Sequence, residues 1–139
     1  RIINKFTNFC SRLLLKRGQF DLKTTAFYYH FLRSFEALAD QYSLVCTYYA
    51  RKLTPINKKV FEKYKEINDI LIGFYEIFYK FDKEKLDGLF LKIREMEIAT
   101  RELYSLKKTD HVISYYLASI TRRIKELVDS LIELNLDKG

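Results

Sequence analysis

Glu36 and Asp40 are the two residues of this chain whose type and spacing come nearest to doing chemistry. On an α-helix a separation of four puts both side chains on one face, about 40° apart around the axis. Two carboxylates so placed can share a hard or borderline cation through their oxygens. Two ligands do not close a coordination shell, so a metal site here requires acids or histidines from a neighbouring helix or subunit. The competing role is a solvated face on which Arg33 pairs with Glu36 at i, i+3. Glu62, Glu66 and Asp69 are supplementary candidates, although Lys63 and Lys65 interleave them. His30 lies about 240° around the helix from Glu36 and cannot easily join it. His111 has no acid or cysteine companion of ligand type. Both histidines read as surface or boundary residues.

Other chemistry is not signalled. The sequence has no glycine-rich phosphate loop, no HExxH and no nucleophile elbow. Cys10 and Cys46 fit neither a disulfide framework nor a zinc spacing, and neither has a histidine at a recognisable distance. They read as small helix-face residues in a protein of the reducing cytoplasm. The expectation is therefore a protein that is not an enzyme. Charge gives a second lead. The net charge is +7 over 139 residues, but residues 1–59 carry 11 basic and three acidic side chains, a net +8. The densest part is Arg1, Lys5, Arg12, Lys16 and Arg17, before the first acid at Asp21. Such a segment attracts nucleic acid, anionic lipid or an acidic protein surface. Arg12, Lys16 and Arg17 are the residues through which a nucleic-acid-binding or transcription-regulator module would act.

The elements that position these residues are helices. Gly18 after Lys16-Arg17 reads as a helix end, Thr54-Pro55 as a break, and Asp82 and Thr109-Asp110 as starts. The spacing predicts helices over 2–17, 22–53, 58–81, 83–106 and 110–136, and the short joins predict antiparallel packing of consecutive helices. In the second helix Phe27, Phe31, Phe35, Leu38, Tyr42, Val45 and Tyr49 form one stripe. Phe61, Tyr64, Ile67, Leu71, Phe74 and Phe78 do so in the third, and Leu86, Leu89, Ile93, Met96 and Leu103 in the fourth. The last shows Ile113, Leu117, Ile120, Ile124, Leu127 and Leu131. Aromatic stripes at helical spacing read as core rather than as base-stacking platforms. Glu36 and Asp40 fall about 130–170° from the centre of their stripe and so point away from the core.

Positions 31, 35, 38, 42, 45 and 49 overlay on 113, 117, 120, 124, 127 and 131 at one offset, which suggests a duplicated helical unit. The last three helices would then form one three-helix bundle, and the first two the end of an earlier one with an apolar groove left open. A single five-helix bundle is the alternative. Hydrophobic residues are 48% of the chain and charged ones 31%, enough for a core and unlike a disordered chain. Four glycines and one proline are too few for a sandwich or barrel. The richest apolar stretch, Ile70 to Tyr79, contains Glu76 and is far shorter than the roughly 18 residues of a membrane span. The chain opens on Arg1 rather than Met and is read as a piece of a longer protein.

The segment from Phe31 to Val45, FLRSFEALADQYSLV, resembles the helix of PhoU-like proteins that reads roughly L-x-R-x-L-E-R-I-A-D-x-A-x-x-I. Arg33, Glu36, Leu38, Ala39 and Asp40 follow it. Phe35 and Val45 are conservative replacements, and Ala37 stands in place of an arginine. The short Gly18 loop before the segment is similar to that of archaeal members, and Tyr115 to Leu134 resembles a second copy of the same helix. The resemblance implies an all-α fold of tandem three-helix bundles. Residues 1–54 would supply the last two helices of an incomplete first bundle and residues 58–137 the second. It implies a cytoplasmic negative regulator of phosphate uptake that works with a phosphate transporter or signalling protein, as a homo-oligomer, with DNA contacted through an AbrB-like upstream domain in some archaeal members. It also implies a metal, iron or zinc, on an ExxxD motif, and only Glu36 and Asp40 qualify. At the same offset the second copy has Ala118 and Arg122, which argues against a symmetric second cluster. A generic helical oligomerisation domain is the remaining expectation.

Overall fold

The computed structural model describes residues 2–52, 55–105 and 110–136. These residues form five α-helices: α1 (Ile2–Arg17), α2 (Leu22–Arg51), α3 (Lys58–Tyr79), α4 (Lys83–Ser105) and α5 (His111–Leu136). An all-α helical bundle is thus what the periodicities produce, and no strand occurs among the described residues. The boundaries have local causes. Gly18 takes φ 55°, the left-handed conformation that closes α1. Asp21 and Asn57 start α2 and α3 by accepting the amides of Thr24 at 2.7 Å and Lys59 at 2.9 Å. Asp82 and Asp110 do the same for α4 and α5 through Lys85 and Val112, each at 3.0 Å. The expected ends at 53 and 106, the break at Thr54, and Thr109 lie outside the described residues.

α5 is the hub. It packs against α2, α3 and α4, while α3 and α4 also pack on each other. Ile113, Leu117, Ile120, Ile124, Leu127 and Leu131 are all at most 2% exposed. Its buried hydroxyls cost little because each bonds back to its own helix. Ser114 donates to the carbonyl of Asp110 at 3.1 Å, Thr121 to Leu117 at 2.8 Å and Ser130 to Glu126 at 2.9 Å. At Gly73 a Cβ would stand 3.1 Å from Leu89 Cδ1, so the missing side chain lets α3 lie close to α4.

Two expectations need correction. Consecutive helices pack in the pairs α1–α2, α3–α4 and α4–α5, but α2 and α3 do not approach backbone to backbone. Long aromatic side chains bridge them instead: Phe31 stacks on Phe78 with ring centres 4.8 Å apart, and the Tyr42 hydroxyl donates to Asn68 at 2.8 Å. Because α2 stands off, the stripe of α3 turns towards α4 and α5. Its buried members are Val60, Ile67, Ile70, Phe74 and Ile77, whereas Phe61 is exposed and Leu71 and Phe78 are half-buried. α2 turns likewise, burying Ser34, Leu38 and Val45 and leaving Phe35 exposed.

Candidate functional site

Glu36 and Asp40 sit on the side of α2 away from α5, and both are half-buried rather than fully solvated. The cause is α1, which packs on α2 and on no other helix. Arg33 Nη1 donates to Glu36 Oε2 at 2.9 Å and reaches across to Asn8 Oδ1 of α1 at 3.3 Å. Its guanidinium also lies over the Tyr29 ring, 5.4 Å from the centroid. The Glu36 carboxylate, with only 17% of its side chain exposed, is therefore held by an arginine from its own helix. The ion pair expected at i, i+3 is present, and a cation at Glu36 has to displace Arg33 first.

The supplementary acids lie elsewhere. Glu66 and Asp69 open into a cleft of about 290 Å³ between α3 and α4, shared with Lys63, Lys92 and Glu95. Lys63 Nζ donates to Glu66 at 2.8 Å, and Lys58 stands 4.0 Å from Glu62. This cleft is on the α4 side of α3, not the side that meets α2, so these acids do not join Glu36 and Asp40. Among the described residues no group of three or more His, Cys, Asp or Glu side chains is close enough to hold a metal ion. Glu36 and Asp40 thus stand one helical turn apart, and no third ligand joins them among the described residues. A cation there would complete its shell with water or with donors from another chain. His30 is exposed and 3.4 Å from the Ser34 hydroxyl, and His111 lies tilted against Tyr104 with ring centres 4.7 Å apart.

Compared with known proteins, the chain matches no family model, no curated protein and no solved structure.

Two features were not read from the sequence. The first is a polar pin where α2 ends and α5 begins. Asp110 accepts from the Val112 amide, the Tyr48 hydroxyl and the Lys52 ammonium, and Lys52 also donates to Tyr48 at 3.1 Å. Burial alone would raise the Asp110 pKa, but the hydrogen bonds from Lys52, Tyr48 and Val112 outweigh it and hold the carboxyl below its ordinary value. The hydrogen bond to Asp110 raises the Lys52 pKa in turn. Asp110 is legible as a cap, but its partners are 62 and 58 residues away and carry no local signal.

The second feature is the surface of α1. The basic residues Arg12, Lys16 and Arg17 are all exposed, as is Lys5. The residues that α1 buries against α2 are Thr7 and Ser11, both small and polar. Its large apolar side chains point outward: Ile2 is 87% exposed, Phe6 63% and Phe9 60%. Ile2 and Phe6 face Phe35 of α2 and Ile72, Tyr75 and Tyr79 of α3 across a groove of about 580 Å³. Leu13, Arg17 and Phe20 line a second apolar hollow of about 390 Å³ with Tyr28. The i, i+4, i+7, i+11 spacing of Ile2, Phe6, Phe9 and Leu13 was there in the sequence as an unassigned stripe.

Proposed function

We propose that this chain is a non-catalytic regulatory module of the PhoU-like type. It acts as a negative regulator of phosphate uptake by presenting a helical surface to a phosphate transporter or its signalling partner. α1 and α2 are read as two helices of a first three-helix unit and α3 to α5 as a complete second one. The observation that carries this reading is the placement of α2: it packs along α5, its partner in the sequence overlay, and turns Arg33, Glu36 and Asp40 away from that contact. In this reading Glu36 and Asp40 hold an iron or zinc ion together with water or a second chain, after Arg33 swings off Glu36. The guanidinium can do so because 43% of its side chain is exposed.

The test has two arms. Protein purified without a histidine tag should contain iron or zinc, and Glu36→Ala should lower that content. Metal unaffected by the substitution rejects the site. Cells lacking the protein should take up phosphate faster when phosphate is plentiful, and restoring the protein should restore repression. Uptake indifferent to its presence rejects the regulatory role.

A further inference from the structure

The surface of α1 combines two properties. The first is charge: Lys5, Arg12, Lys16 and Arg17 with no acid among them. Asp21, the first acid, is committed as the cap of α2 through Thr24. The second is a row of large apolar side chains facing solvent, from Ile2 through Phe6, Phe9 and Leu13. At 100° per residue those four fall within about 60° of arc. Lys5, Arg12 and Lys16 occupy an adjoining arc of about 40°, so one edge of the apolar ridge is basic along its whole length. Phe20 and Leu22 extend the apolar surface beyond Gly18, Leu22 at 87% exposure. On the other side, Tyr75 and Tyr79 of α3 present rings with exposed edges.

We propose that this face is a docking surface for an anionic lipid bilayer, on which α1 lies in the plane of the headgroups. Each component matches what such a surface requires. Phenylalanine, leucine and isoleucine on one arc enter the acyl boundary, and lysine and arginine beside them meet the lipid phosphates. Tyrosines suit the interface because one end of the ring is apolar and the other is wet. The helix is already folded on α2, so binding does not have to order it. Nucleic acid would use the cations but leave Ile2, Phe6 and Phe9 without a role. A second α1 would offer the basic row no acid to pair with. The inference does not depend on the metal or on phosphate regulation.

The experiment is flotation of the purified protein with vesicles of mixed phosphatidylglycerol and phosphatidylcholine, and with phosphatidylcholine alone, at rising salt. The protein should float with the anionic vesicles, stay behind with the neutral ones and detach as salt increases. Replacing Lys5, Arg12 and Lys16 together by glutamine should weaken binding by roughly a hundredfold, since each basic residue near the surface contributes comparably. Phe6→Ser combined with Phe9→Ser should weaken it by at least about tenfold. Both variants change exposed side chains, and an unaltered helical circular dichroism spectrum confirms their folding. Equal binding to neutral vesicles, or none to either kind, overturns the proposal. So does binding that ignores the phenylalanine changes and is competed by duplex DNA, which assigns the cations to nucleic acid. Self-association in sedimentation that those changes abolish, without vesicle binding, gives the face to a second copy.

Discussion

α2 and α5 carry the same hydrophobic register, yet they live in different surroundings. All six overlaid positions of α5 are buried, whereas in α2 only Leu38 and Val45 are. Phe35 and Leu117 occupy equivalent places in that overlay, and Phe35 is 41% exposed against 1% for Leu117. The difference lies in the neighbours. α5 is enclosed by three helices, while α2 has α5 on one side, α1 on another and, from α3, long side chains such as Phe78 and Asn68 without close backbone approach. A stripe in a sequence states which face can be buried; the number of helices around it decides how much of that face is.

Substitutions at the paired positions should break this comparison most strongly. Leu117→Ala empties a fully packed site and should cost about 2–5 kcal/mol, whereas Phe35→Ala should cost less than about 1 kcal/mol, both read from urea unfolding midpoints. Equal losses would mean that the two helices are buried alike. The polar pin comes next. Asp110→Asn should cost about 1–2 kcal/mol by weakening the cap and its links to Tyr48 and Lys52. Because the carboxyl is held below its ordinary value, its contribution is complete above the unfolded pKa of about 3.9 and is lost as pH falls through the lower folded value. The gap between wild type and Asp110→Asn should therefore close in acid. Lys52, raised by its partners, contributes fully below its unfolded pKa of about 10.4 and loses that contribution as pH climbs through the higher folded value.

A smaller change of opposite sign is expected at Gly88 of α4. A Cβ there meets nothing within 4 Å, so Gly88→Ala should raise stability by about 1 kcal/mol. Smallest of all is Glu36→Ala, which should cost no more than about 0.5 kcal/mol because it removes an i, i+3 ion pair whose arginine stays 43% exposed. A large loss there would place Glu36 in the structural framework of the α1–α2 half.

The helices themselves were legible because periodicity, caps and glycine are local signals. Gly18 and Asp82 act as their positions in the sequence predict, and the stripe of α4 is buried as expected from Leu86 to Leu103. Asp21 and Asn57 stand immediately before their helices and could have been read by the same rule. What could not be read were rotations about helix axes. Placing Phe61 in the core of α3 requires α2 to lie alongside, and the 22 to 51 helix settles on α5 instead. The candidate site was half legible for the same reason. The wheel placed Glu36 and Asp40 opposite the stripe, but it carried no sign that α1 would cover part of that face or that Arg33 would reach Asn8.

The seam between α1 and α2 carries a mechanical consequence. Thr7 donates to its own helix at the Ile3 carbonyl, 3.0 Å away, and the buried Ser11 hydroxyl finds no partner among the described residues. Separating the two helices uncovers little oil-like surface on α1, so the work of peeling it away is small compared with that of opening the enclosed half. In hydrogen exchange the amides of residues 6–17 should trade first, well before those of α5. The link between α1 and α2 is thus the contact that should give way at the smallest cost, leaving the helices around α5 joined.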